Sequence, residues 1–201
     1  MLEKKAVTSV PVHDIIASRW SIRAFDPFKK VSMEQIISVC EAARWAPSCG
    51  SEEPWRFIIW DKKTDYSCWD IAFNCLDDNN KKWVGNAPVL IAGIACNTFK
   101  RNNTPNFWAK FDTGASCQNI YLQSVALGLM SHPMGGFDRD KLKNQFSIPD
   151  NYTPIVMIAL GYQGDLIVLD DFNQKREVAE RTRKPLGSNF FFCEWEKPIT
   201  Q

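Results

Sequence analysis

The chain has 201 residues, 45% hydrophobic and 23% charged, which is enough for one domain with a sizeable core and too few for a second full one. Its 24 Lys and Arg balance 23 Asp and Glu, so no global field draws it to nucleic acid or an anionic membrane, and any anion site has to be a local cluster. The apolar run 88–96 falls far short of the roughly 20 residues that cross a bilayer, and with no secretory signal readable at the N-terminus the expected location is the cytoplasm.

The first element predicted is a short helix over 13–19, followed by a basic segment, 19–25, that sets Arg19, Ser21 and Arg23 at or just past a helix end. Ser32 and Gln35 have capping-box spacing, and Met33, Ile36, Ile37, Cys40 and Ala43 recur at helical intervals, so 32–45 is an amphipathic helix. Pro47 stops it, and Pro47-Ser48-Cys49-Gly50-Ser51 is loop chemistry leading to a strand at 56–60. A weakly patterned helix is expected over 65–84, then a strand at 89–96 covered on both faces. A strong helix at 112–127 stops at Gly128. A short segment (129–131), the Gly135-Gly136 turn, a short helix (138–146) and a strand (155–160) complete an α+β pattern, with an antiparallel or mixed sheet packed with helices. From Gly164 periodicity is lost, and the charged tail ends in Phe190, Phe191, Phe192 and Trp195, which its own domain alone would rarely cover.

The common nucleotide signals, G-x-G-x-x-G and G-x-x-x-x-G-K-[ST], are missing. With only His13 and His132 and no paired ligand spacing, no metal site is expected. Seven cysteines without a C-x-x-C pair read as reduced, mostly buried thiols, and a pairing of Cys49 with His132 is less favoured than an ordinary loop thiol. Two compact basic clusters stand out against the balanced charge: Arg19-Trp20-Ser21-Ile22-Arg23 and Arg181-Thr182-Arg183-Lys184. Guanidinium groups with a hydroxyl suit a phosphomonoester, although each cluster alone also reads as a solvated basic face.

Arg19-x-Ser21-x-Arg23-x-Phe25, Glu41-Ala-Ala-Arg-Trp-Ala-Pro-Ser48 and Pro54-Trp55-Arg56-Phe57-Ile58 together resemble the N-terminal half of the nitroreductase family. Asn86-Ala-Pro-Val-Leu-Ile91, Ala126-Leu-Gly-Leu129, His132-Pro-Met-Gly-Gly-Phe-Asp138, Ala159-Leu-Gly-Tyr162 and Arg183-Lys-Pro-Leu186 continue the resemblance in the family's order, over roughly 12–186. It implies a single-domain α+β flavoprotein fold with a central, mainly antiparallel mixed sheet and helices on both faces. Two chains would exchange terminal segments into a domain-swapped homodimer with FMN at the interface, and 165–201 would pack on the partner.

The resemblance further implies that Arg19 and Ser21 hold the FMN phosphate, joined by Arg181 and Arg183, with Trp20 between them as a packing choice. Arg23 and Lys82 would face the flavin pyrimidine, where positive charge favours the reduced form, and Asn79, one turn before Lys82, its polar edge. Pro133, Met134, Gly135 and Gly136 would lie along the isoalloxazine, and Pro47, Ser48, Cys49 and Ser51 would come from the second subunit. Ser51, Glu52 and Glu53 depart from the family's usual Asn and Gln, and an ionised Glu53 cannot donate a hydrogen bond as Gln can. The implied activity is a ping-pong transfer of electrons from NADH or NADPH to a nitroaromatic, quinone or similar small acceptor, with no catalytic side chain required. A dehalogenase or dehydrogenase on the same fold, differing in a lid at 97–110, or a non-catalytic flavin-binding protein, are the alternatives.

Overall fold

The computed structural model describes residues 2–199. Along the chain run α1 (Asp14–Ser18), α2 (Met33–Arg44), β1 (Trp55–Asp61), α3 (Tyr66–Phe73), α4 (Asp78–Val84), β2 (Val89–Cys96), α5 (Ala109–Ala126), β3 (Met130–Met134), α6 (Arg139–Gln145), β4 (Tyr152–Gly161) and α7 (Asp171–Val178). The four strands form one sheet in the order β1-β2-β4-β3, and all three pairings are antiparallel. The sheet among the described residues is therefore purely antiparallel within the expected α+β class. Among the described residues, no helix is long and apolar enough to cross a membrane.

β2 shows why the sheet is central. Its residues alternate between two cores: Leu90, Ala92 and Ile94 pack with Trp60, Trp69, Trp83 and Met157, whereas Val89 and Ile91 pack with Ile36, Val39, Ile120 and Leu129. A strand repeats its facing every two residues, so a continuous apolar run is what burial on both sides demands. α2 and α5 cover one face, and α3 with α4 the other.

α2 carries the expected capping box between Ser32 and Gln35. The helix expected over 65–84 is instead two, because Leu76 bridges to Phe137 and the Asp77 side chain caps a new start by accepting from the Asn80 N–H. α7 was not anticipated. Its inward residues are polar, Asn173 and Glu177, so no apolar period announces it, and Asp170 caps it by accepting from Asn173 at 2.7 Å. As a result, the segment from 165 through α7 packs on its own protomer.

Candidate functional site

α1 ends at Arg19, whose extended backbone (φ −67, ψ 119) turns the chain into a strap. Trp20, Ile22 and Ala24 are buried in the core, so strand-like alternation puts Arg19, Ser21 and Arg23 on the opposite side. The strap is fastened to the end of β4, where Asp26 N–H donates to Tyr162 O at 2.9 Å and Gly164 N–H to Ala24 O at 2.8 Å. Arg19 Nη1 lies 3.4 Å from Ser21 Oγ. The Trp20 indole sits under the Lys4 ammonium, 4.6 Å from its ring centre, so Trp20 meets this side only through its backbone.

The second basic cluster arrives just past α7. Arg181 donates to Ala17 O at 2.9 Å, to Arg19 O at 3.0 Å and to Lys4 O. Arg183 is exposed and donates to Thr182 O at 2.8 Å. Burial lowers the Arg19 pKa, and Arg181 and Arg183 lower it further by repulsion; burial and Arg183 do the same to Arg181. None of these three guanidiniums forms a salt bridge among the described residues. Three cations and a hydroxyl gathered without a carboxylate are a standing electrostatic cost that a dianionic phosphate removes. The residues present therefore fit a phosphomonoester.

Arg23 continues the strap. Its guanidinium is 6.0 Å from the Trp83 ring centre, and its Nε is buried without a hydrogen-bond partner. Behind it, His132 on β3 places Nδ1 2.6 Å from Ile22 O and its ring 4.3 Å from Trp83. Burial pushes the His132 pKa down to about 4, opposed by that backbone bond, so the ring is neutral at pH 7 and its Nδ1–H donates to Ile22.

Asn79 and Lys82 are exposed on α4, one turn apart and so on one side, and their side chains make no hydrogen bond or ion pair to the described residues. Met134 buries its side chain in the core, and Pro133 beside it on β3 is partly covered. Gly136 O accepts from Asp77 N at 3.1 Å and from Asn80 Nδ2 at 3.0 Å. A Cβ on Gly136 would come within 2.7 Å of Asp77 Cγ, whereas one on Gly135 would meet nothing within 4 Å. The close approach is thus Gly136 onto α4, and Gly135 faces open space.

The loop after α2 is built separately. Cys49 N–H donates to Asp112 Oδ2 at 3.0 Å, and Asp112, in the first turn of α5, is buried. Glu53 N–H donates to Ser48 Oγ at 3.0 Å. Gly50, Ser51 and Glu53 all have left-handed backbones, with φ of 59, 54 and 48, a conformation that strains the last two. Pro47, Ser48, Ser51 and Glu53 line an open cavity of about 410 Å³ with Arg44 and Trp45. No hydrogen bond or ion pair of the described residues joins this loop to the Arg19–Arg23 strap, and none joins Cys49 to His132.

The segment 97–110 folds back on itself through a Thr98–Pro105 bridge and is tied to the loop where Lys100 N–H donates to the Glu52 carboxylate. It leaves Phe107 91% and Trp108 54% exposed, and Phe111 follows at 71%. Past Arg183 the tail makes its own small turn, with Phe192 N–H donating to Lys197 O at 2.8 Å, while Phe190, Phe192 and Trp195 remain exposed. No group of three or more His, Cys, Asp or Glu among the described residues could hold a metal.

The nitroreductase family model matches residues 16–82 and 75–162, which takes in the strap, the loop, all four strands and α4. The chain belongs to the nitroreductase family. A family relative from Archaeoglobus fulgidus, provisionally named an NADH dehydrogenase/NAD(P)H nitroreductase, is 30% identical over 176 residues, covering 83% of this chain and 96% of that protein. A 15.4 kDa protein of Mycolicibacterium smegmatis is 33% identical over 92 residues, covering 46% of this chain and 62% of that protein. Among solved structures, an oxidoreductase containing FMN superposes with a TM-score of 0.88 at 30% identity, over 97% of this chain and 98% of that one.

Two residues beside the candidate site have no clear signal in the sequence. Asp112 was legible only as an acid in the first turn of a helix, and Glu177 gave no signal, since its partners are more than 150 positions away.

Proposed function

We propose that the protein is an FMN-dependent oxidoreductase that takes electrons from NADH or NADPH and passes them to a nitroaromatic, quinone or similar small acceptor, the two substrates using one face in turn. The observation that carries this reading is the convergence of Arg19, Arg181 and Arg183 beside Ser21 with no carboxylate partner, because it is what a flavin mononucleotide phosphate needs and what a free-standing protein surface would avoid. Bound FMN would supply the chemistry, accepting two electrons as hydride and giving them up to the acceptor.

The chain's residues supply position and field. Arg19, Ser21 and Arg183 would grip the phosphate, with Arg181 fixing the backbone beneath them through its bonds to Ala17 and Arg19. Arg23 and Lys82 would place positive charge, and Asn79 an amide, at the polar edge of the ring. The exposed Gly135 would let the ring lie flat along the turn after β3. Neutral His132 would stiffen the strap from behind without offering a proton at pH 7.

The loop at Pro47, Ser48, Cys49 and Ser51 lacks a link to the strap of its own chain, and the tail leaves its aromatics uncovered. A homodimer in which each loop and tail serve the other protomer's site accounts for both. The test is the visible spectrum of the purified protein with added FMN, followed by NADH and then NADPH without oxygen. Flavin that binds and bleaches with either donor is the expected result, and absence of flavin uptake would overturn the proposal.

A further inference from the structure

Glu177 is a carboxylate of α7 with no solvent exposure. Its Oε1 accepts from the main-chain N–H of Arg23 at 2.8 Å and of Ala24 at 3.1 Å. Its Oε2 accepts from Arg23 N–H at 3.0 Å and lies 3.8 Å from Arg23 Nη1. A carboxylate is costly to bury unless its lone pairs are filled and its charge is met. Here both are done by one residue, Arg23, and by the backbone of its neighbour. Lys4 reinforces the joint by donating to Glu177 O at 2.7 Å. Glu177 thus pins the N-terminal strap to the C-terminal helix that delivers Arg181 and Arg183, and it sets a negative charge directly behind Arg23.

We propose that Glu177 is a positioning residue for the cofactor: it fixes the strap that carries Arg19, Ser21 and Arg23, and its charge offsets that of Arg23, so limiting how strongly the site favours reduced flavin. This rests on the reading that Arg23 faces the flavin's polar edge. Among the charges around Arg23, Arg176 repels it and Glu177 attracts it, so Glu177 is the group that tempers its field. The buried, unpartnered Arg23 Nε marks a side chain held in place more by this ion pair and by Trp83 than by hydrogen bonds of its own.

Glu177→Gln largely separates the two roles, because the amide oxygen can keep both Oε1 bonds and only the Oε2 share of the forked Arg23 N–H bond is lost with the charge. The measurement is the midpoint potential of bound FMN, with FMN affinity, in the wild type, Glu177→Gln, Arg23→Met and the double variant. Glu177→Gln is expected to raise the ratio of reduced to oxidised FMN affinity about tenfold, a positive shift of about 30 mV, and Arg23→Met to lower the potential. In the Arg23→Met background the Glu177→Gln shift should largely vanish. An unchanged potential in Glu177→Gln, or an equal shift with and without Arg23, would overturn the proposal. If Glu177→Gln does not fold, Arg23→Met decides alone, since an unchanged potential there leaves Glu177 nothing to offset. Failure of the wild type to bind FMN would instead count against the proposed function itself.

Discussion

The strap and the loop after α2 are made in opposite ways. The strap's cations are held by buried contacts of their own chain, with Glu177, His132 and Arg181 all bonded to its backbone. The loop is fastened to Asp112 and, through Glu52, to the exposed 97–110 segment, and it keeps two strained residues beside an open cavity. A half-site that must grip an anion is preformed, because cations placed without organisation would turn to solvent. In the proposed homodimer, a loop that serves the other protomer can stay open until that surface arrives.

Removing residues 184–201 is the harshest test of that contrast. It deletes Phe190, Phe192 and Trp195, whose exposure calls for a second surface, and leaves the strap intact. Burial of several large aromatics contributes about 1.5 to 3 kcal/mol each, so on the proposed homodimer sedimentation should change from dimer to monomer. FMN affinity should fall roughly a hundredfold, about 2.7 kcal/mol. A truncated protein that stays dimeric would assign the tail another role.

Next in size is the pH dependence of the strap. His132 has its folded pKa depressed to about 4 from an ordinary 6.5, so the unfolded chain binds the extra proton between these values. Its contribution is complete above about pH 6.5 and is lost as pH falls through about 4, amounting to about 3 kcal/mol. Denaturant titrations from pH 7 to 4 should show this slope and lose it in His132→Phe, which should also be less stable at pH 7 because Ile22 O loses its donor.

Two smaller effects belong to the loop. Ser51→Gly relieves a left-handed serine and should raise thermal stability by about 0.5 to 1 kcal/mol net of unfolded-state entropy. Glu53→Gln should raise kcat/KM for an anionic nitrobenzoate about threefold relative to a neutral nitrobenzene, and less at high salt. Equal ratios at all salt concentrations would show that Glu53 does not face the acceptor.

The contrast also explains what the sequence reveals. α2 and β2 are legible because capping chemistry and apolar periodicity are local or follow directly from burial. The strap's cations are legible because compact basic clusters stand out in a chain of balanced charge. α7 is hidden, since its buried face is made of Asn173 and Glu177, whose value depends on partners brought together only by folding. The break between α3 and α4 is signalled by Asp77, a good cap, but Leu76 leaves the helix for a bridge to Phe137 some 60 positions on. Left-handed Ser51 and Glu53 could not be read at all, because such a backbone is enforced by the surrounding fold.

If the cations of the strap and of the segment past α7 hold the FMN phosphate together, the most direct test is an FMN titration, followed by flavin fluorescence, of the wild type against Arg19→Ala and Arg183→Ala. Each substitution removes a charge-assisted contact of about 1.5 to 3 kcal/mol and should weaken binding roughly 10- to 100-fold, whereas unaltered affinity in both variants would contradict the account.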